Sequence, residues 1–116
     1  TILHVTHAGP YNPAGHALAI GDDVTIGHRA VLHGCTVGDR CLIGMGAIVM
    51  DGAVVAGEVI IGAGALVTPG TRCESRSLYV GSPARRVREL SAREIEQLAY
   101  SAAWYVKVKD QYLAAG

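Results

Sequence analysis

The sequence predicts a β-solenoid, a coil of short parallel strands, followed by one C-terminal α-helix. Three observations predict the coil. Aliphatic residues recur every six positions from residue 20 to residue 67, the next residue is often Gly, and the fourth residue after each is small or β-branched. A six-residue period fits neither an amphipathic helix nor a hairpin sheet. It is typical of a solenoid in which each unit forms one strand and one corner.

The recurring aliphatic positions define the interior and the length of one coil. They are Ile20, Ile26, Leu32, Val37, Ile43, Val49, Val55, Ile61 and Val67. The step from Leu32 to Val37 is five residues and the others are six. Three units close a triangular coil of 18 residues, and neighbouring coils stabilise one another by stacking. Gly after an interior residue is expected to permit a positive φ at a corner. We assign residues 1–70 to the solenoid.

The first coil carries an insertion. Leu3 and Leu32 are 29 residues apart, which is 11 more than one coil, and residues 7–17 form an 11-residue segment rich in Pro, Gly and Asn. Such residues are typical of a loop. Without it, Leu3 and Leu32 lie on one face, and His4 and His33, which follow them, become neighbours about 4.8 Å apart. Because Thr1 already lies inside a repeat, we expect further coils before it.

The C-terminal part of the chain changes pattern. The sequence Thr68-Pro69-Gly70 is expected to end the repeat, and residues 71–90 are interpreted as an exit segment. Ser91 and Glu94 have the spacing of a capping box. An apolar stripe follows, at Ile95, Leu98, Ala99, Ala102, Val106, Lys109 and Leu113. This spacing predicts an amphipathic helix over residues 91–114 that packs on the outside of a solenoid.

Three histidines suggest a metal site. His4 and His33 share one column, whereas His28 lies on the preceding face and points away from them within one chain. Three imidazoles and an open position are a common zinc arrangement. In a threefold assembly, His28 of one copy can approach the His4–His33 pair of the next, which predicts three sites per trimer and none in a monomer. The alternative is a polar ladder without a metal.

Other polar residues have weaker assignments. His7 is a candidate for a position next to the metal ligands or for proton transfer, and His16 is expected to be solvated. Cys35 could ligate a metal as a thiolate, although packing is the simpler role. Met50 continues the histidine column and is expected to pack beside the site.

Composition limits the function classes. The chain has 116 residues, 17% charged, with a formal net charge of zero. A neutral balance gives no reason to expect a nucleic acid or an anionic membrane as partner, and no apolar run reaches membrane-spanning length. Three Cys without paired spacing do not form a disulfide framework. These features favour a cytoplasmic protein.

Several segments together resemble the gamma-class carbonic anhydrases, in particular the small bacterial proteins of that type. The matching segments are Leu3-His4-Val5-Thr6-His7, Val24-Thr25-Ile26-Gly27-His28, Leu32-His33-Gly34-Cys35-Thr36-Val37-Gly38, Gly44-Met45-Gly46, Asp51-Gly52-Ala53, Ile61-Gly62-Ala63-Gly64 and Gly81-Ser82-Pro83. The resemblance implies a left-handed parallel β-helix that assembles into a homotrimer. It also implies a metal bound between subunits by His4, His28 and His33.

The resemblance further implies reversible hydration of CO2 to bicarbonate by a hydroxide on the metal. The metal would be Zn²⁺, with Fe²⁺ or Co²⁺ in some members. Tyr105 falls where relatives have a Tyr near the site, although the Asn that often accompanies it is replaced here by Ala or Trp. The family's upstream Arg, Asp and Gln would precede Thr1.

Two other function classes compete with this interpretation. The first is a CoA-linked enzyme, either a hexapeptide acyltransferase or a CoA-thioester hydrolase. Hexapeptide transferases carry a Gly-x-Pro-Ala exit motif that resembles Gly81-Ser82-Pro83-Ala84. Such enzymes need one histidine as a base rather than three arranged around a metal. The second alternative is a non-catalytic trimeric scaffold that retains the site without the chemistry.

Overall fold

The computed structural model describes residues 1–115 and contains the predicted solenoid. Its strands form three sheets, which are the three faces of a triangular prism. The first face contains β1 (Ile2–His4), β4 (Val31–His33), β7 (Ile48–Val49) and β10 (Leu66–Val67). The second face contains β2 (Ala19–Ile20), β5 (Thr36–Val37), β8 (Val54–Val55) and β11 (Arg72–Cys73). The third face contains β3 (Thr25–Ile26), β6 (Leu42–Ile43), β9 (Ile60–Ile61), β12 (Ser77–Val80) and β13 (Arg85–Glu89).

Strand pairing within each face is parallel, apart from the antiparallel pair of β12 and β13. Successive strands of a face belong to successive coils, so the prism is four strands deep before β13 is added. This is the left-handed parallel β-helix of hexapeptide repeats that the resemblance implies. Within residues 1–115, no helix combines the length and the apolar character needed to cross a bilayer.

The interior is filled by the recurring aliphatic residues and by the small residues between them. Leu32, Ile43 and Ile61 are fully buried. Each side chain of this size contributes about 1.5–3 kcal/mol when it leaves water. Ile20 and Ile26, in the first coil, are partly buried and pack against this core.

The Gly that follows an interior residue is explained by close packing and not by the expected positive φ. Gly44, which directly follows the interior residue Ile43, does not have a positive φ. A Cβ at Gly44 would instead lie 2.5 Å from the backbone nitrogen of Ala63 in the next coil. Positive φ occurs further along the corners, for example at Gly46 and Gly64. Close stacking of backbones therefore explains the Gly after an interior residue.

The solenoid continues beyond residue 70, where the sequence analysis ended it. Arg72 and Cys73 pair with Val54 and Val55 of β8, and β12 pairs with β9. Part of the predicted exit segment is therefore a fourth coil. The segment then adds β13, which the sequence analysis did not predict.

Helix α1 spans Ala92–Ala115, one residue from the predicted bounds at each end. Its predicted capping box is confirmed. The Ser91 N–H donates to Glu94 Oε1 at 2.9 Å, and the Glu94 N–H donates to Ser91 Oγ at 3.2 Å. Leu98 and Ala102 are buried, whereas Val106 and Leu113 are exposed. Full burial of the predicted stripe is therefore confined to the first half of the helix.

Candidate metal site

The first face brings two histidines together. His4 and His33 are paired residues of the neighbouring strands β1 and β4, which confirms the stacking predicted from the repeat. Each follows an interior position, and side chains alternate between the two faces of a strand. Both imidazoles therefore point outward. Their rings stack with centroids 4.9 Å apart, and His4 Nδ1 lies 3.1 Å from His33 Nε2.

This nitrogen–nitrogen distance suits two ligands of one metal ion. Two zinc–nitrogen bonds of about 2.0–2.1 Å at a tetrahedral angle place their nitrogen atoms roughly 3.3 Å apart. Imidazole is also a preferred donor for zinc and related divalent metals. His4 and His33 therefore fit two positions of a metal ion, and the remaining positions need other donors.

On the side of its ring away from His4, His33 is hydrogen-bonded to a carboxylate that also accepts a hydrogen bond from a hydroxyl. Asp51 Oδ1 lies 2.6 Å from His33 Nδ1, and the Thr6 hydroxyl donates to Asp51 Oδ2 at 2.7 Å. The hydrogen bond from His33, followed by that from Thr6, holds the pKa of Asp51 below its usual value. An ionised Asp51 accepts a hydrogen bond from His33 Nδ1–H, which keeps the proton on Nδ1 and leaves the lone pair of His33 on Nε2, toward His4.

Asp51 and Thr6 are site residues that the sequence pattern did not indicate. The column of outward residues that contains His33 continues to Met50 in the next coil. Asp51 lies outside this column. The sequence feature that could have indicated Asp51 is the shortened step between Leu32 and Val37. It makes one corner a residue shorter than the corner of the next coil.

His28 is not part of the cluster formed by His4 and His33. It is exposed on the corner after β3, where its backbone carbonyl accepts a hydrogen bond from the Gly46 N–H. Across residues 1–115, no three His, Cys, Asp or Glu side chains are arranged to hold a metal ion. The three predicted ligands are therefore not brought together within one copy of the described chain.

A groove of about 920 Å³ separates α1 from the part of the third face that β3 and β6 form. His28 and Tyr105 both line it, with Met45 and Leu42. The Thr25 hydroxyl donates to Ser101 Oγ at 3.3 Å and connects the two walls. Tyr105 thus shares a groove with His28, and its side chain is 59% exposed.

The other candidate residues have different surroundings. His7 is exposed at the start of the loop. His16 is half-buried rather than solvated, because its Cβ lies beside Gly34 and its ring lies beside Gly52. Burial raises the pKa of the Cys35 thiol to about 11, which favours packing over thiolate ligation. Met50 lines a small pocket with His33 and Asp51, as expected.

An apolar ladder runs beside the two histidines. It consists of the outward residues one position before each interior residue of the first face, which are Ile2, Val31, Ile48 and Leu66. Ile2 is 60% exposed and Ile48 is 39% exposed. The equivalent positions of the second face are Ala19, Thr36, Val54 and Arg72. The first face is therefore the more apolar of the two.

Comparison with protein families gives a match to the bacterial transferase hexapeptide model, "six repeats", over residues 19–49. Protein YrdA of Escherichia coli is 60% identical over the whole chain. Gamma carbonic anhydrase 1, a mitochondrial protein of Arabidopsis thaliana, is 45% identical over 95% of the chain. The chain spans 63% of the first relative and 41% of the second.

Comparison with solved structures gives a similar fold in a hexapeptide transferase family protein from Anaplasma phagocytophilum. The TM-score is 0.76 at 36% identity, and the match covers 84% of this chain and 63% of the other. Both carbonic anhydrases and transferases therefore occur among the proteins that this chain is similar to.

Proposed function

Because this chain belongs to the hexapeptide-repeat proteins, with gamma carbonic anhydrases among its relatives, we propose that it is a metal-dependent carbonic anhydrase. The metal would lie between copies of a homotrimer, and the reaction would be the reversible hydration of CO2 to bicarbonate. The observation that carries this proposal is the outward pair of His4 and His33, with nitrogens 3.1 Å apart. Zn²⁺ is the first candidate, with Fe²⁺ or Co²⁺ as alternatives.

The third ligand in this proposal is His28 of a neighbouring copy. Its exposure at the edge of a groove leaves its imidazole free to meet another chain. The apolar ladder supports the same assembly, because an exposed apolar face next to the histidine pair gains stability when a second copy covers it. Tyr105, in the groove with His28, would then lie on the neighbour's side of each site.

The roles of the chain's own residues follow from their positions. His4 and His33 would hold the ion, and Asp51 would keep His33 oriented. A bound divalent metal would supply the Lewis acidity that activates water for attack on CO2. Hydration releases a proton, and exposed His7 at the start of the loop is the proposed group that passes it to solvent.

Two complementary variants test the shared site. His4→Ala and His28→Ala should each lose the metal, because each removes one ligand from all three sites. A mixed trimer of the two variants should regain one site, where the intact pair of a His28→Ala copy meets His28 of a His4→Ala copy. Metal analysis of the separate and co-refolded variants measures this. Full zinc content in either variant alone would contradict the assignment.

The reaction itself requires a direct assay. Stopped-flow measurement of CO2 hydration by the metal-loaded trimer should show a rate above that of the metal-free protein. Metal bound at stoichiometric amounts without CO2 hydration would favour the non-catalytic scaffold.

A hexapeptide transferase is the second candidate function. The structural similarity to a transferase-family protein favours it, and the groove beside α1 has the size of a small-molecule pocket. Calorimetry distinguishes the two proposals: binding of acetyl-CoA to metal-free protein would support a transferase, whereas metal binding without acetyl-CoA binding would support the anhydrase.

A further inference from the structure

We propose that Thr6 and Asp51 are positioning residues for His33, held in place by a mismatch between two corners of the solenoid. This inference rests on the proposed metal site and adds to it the groups that direct His33. We refer to Thr6, Asp51 and His33 together as the relay.

The relay uses both oxygens of the Asp51 carboxylate. One accepts from His33 Nδ1 at 2.6 Å and the other from the Thr6 hydroxyl at 2.7 Å. A carboxylate held at two points has little freedom to rotate, so it restrains both the ring orientation and the proton position of His33. The Asp51 side chain is 30% exposed. Water therefore reaches only part of the carboxylate and competes with these two hydrogen bonds only in part.

Thr6 is itself held by the base of the loop. Its backbone exchanges two hydrogen bonds with His16: the Thr6 N–H donates at 3.0 Å and the Thr6 carbonyl accepts at 2.8 Å. These bonds close the loop of residues 7–15 and fix the direction of the Thr6 side chain. The loop is thereby connected to a carboxylate 45 residues away in the chain.

The corner mismatch explains how Asp51 reaches His33. Leu32 pairs with Val49 and Thr36 pairs with Val54. Three residues, 33–35, therefore face four residues, 50–53, of the next coil. Asp51 is the additional residue, since Gly52 already bonds to Gly34, with its N–H 2.8 Å from the Gly34 carbonyl.

Gly34 leaves the space that the carboxylate occupies. A Cβ at this position would lie 2.6 Å from Asp51 Oδ1. Gly34 also has a φ of 54°, which an L-residue adopts only at a cost. The shortened corner and its glycine therefore form a built position for the carboxylate behind His33.

The relay is tested first in metal-free protein. Long-range ¹H–¹⁵N NMR in mildly alkaline solution, where imidazoles are neutral, should show His33 protonated on Nδ1. Asp51→Ala should shift His33 toward the Nε2 tautomer, and Thr6→Val should shift it less. Thr6→Ser, which restores a hydroxyl, should recover the wild-type signal. A tautomer unchanged in Asp51→Ala would overturn the proposal.

Metal affinity provides the second measurement. Titration with Co²⁺, followed by its visible absorption, should show affinity lower by roughly 10–100-fold in Asp51→Ala. Asp39→Ala is the matched control, because the Asp39 carboxylate lies at another corner, where it accepts the Asp22 N–H at 2.8 Å. It should bind Co²⁺ as the wild type does. Equal losses in both variants would show a general structural effect and overturn the positioning role.

The two proposals fail in different ways. A wild-type protein that binds no metal would end the anhydrase proposal, while the NMR experiment would still decide whether Asp51 controls the His33 tautomer. Normal metal binding by Asp51→Ala would remove the relay and leave the proposed function standing.

Discussion

The environment of His33 is determined by two residues of opposite character. Asp51 supplies a charge that faces the ring, and Gly34 supplies the empty volume that lets the charge approach. Neither residue would be sufficient alone, because any side chain at position 34 would overlap the carboxylate.

Gly34→Ala tests this requirement. Alanine at a φ of 54° costs about 1–2 kcal/mol of folding free energy, and its methyl group would also displace the Asp51 carboxylate. Gly64→Ala is the control, since Gly64 has a φ of 69° and no atom within 4 Å of an added Cβ. We expect both variants to lose stability in denaturant unfolding, with the larger loss in Gly34→Ala. Only Gly34→Ala should weaken Co²⁺ binding, and equal behaviour in both measurements would contradict this account.

The sequence predicted the histidine pair but not its support. Counting residues placed His4 beside His33, because the period defines which residues share a column. Asp51 belongs to no shared column with His33. Its position depends on how an extra residue is accommodated at one corner, which periodicity alone does not determine.

Among the elements, helix α1 shows which properties a sequence pattern predicts and which it does not. The capping box predicted its start. The stripe did not predict which part of the helix is buried, because that depends on the lengths of the two packed elements. A helix of 24 residues is about 36 Å long, whereas the five strands of the third face, about 4.8 Å apart, span roughly 19 Å. Val106 and Leu113 are exposed for this reason.

The start of α1 predicts a specific pH dependence. Arg88 binds both oxygens of Glu94, at 2.6 and 2.9 Å, and the Ser91 N–H donates to the same carboxylate. Arg88, followed by Ser91, lowers the pKa of Glu94 from 4.5 to about 2. Since the folded state has the lower pKa, this contribution to stability is present above pH 4.5 and is lost as the pH falls toward 2.

Glu94→Gln measures this contribution, because Gln keeps a capping oxygen and removes the charge. We expect the variant to have a lower Tm than the wild type at neutral pH, and we expect the difference to shrink as the pH falls below 4.5. Glu96→Gln, at an exposed position of the same helix, removes an equal charge and should not reproduce the trend. A constant difference across the acid range would contradict the assignment.

At the scale of the whole molecule, the repeat was predicted correctly but ended too early. Cys73 and Tyr79 follow Val55 and Ile61 by 18 residues each and occupy the same interior columns. The aliphatic pattern ends at Val67, because Cys73 and Tyr79 are not aliphatic. Tyr79 fits the last coil because its hydroxyl accepts the Glu74 N–H at 2.8 Å. The interior position is thus defined by spacing more than by residue type.

The proposed assembly depends on the apolar ladder of the first face, and Ile48 is its most direct test. Glu at position 48 would place a charge at the centre of the proposed interface, where desolvation without a partner is unfavourable. Thr36→Glu is the matched control, because Thr36 is also exposed and also lies in an outward strand position, on the second face.

We expect Ile48→Glu to convert a trimer into monomers in light scattering and to lose bound metal, even though His4, His28 and His33 are unchanged. Circular dichroism should show that each monomer keeps its solenoid, since position 48 points away from the interior. Thr36→Glu should remain trimeric and metal-bound. If Ile48→Glu became monomeric yet kept its metal, the site would be contained in a single chain, and the sharing of ligands between copies would be wrong.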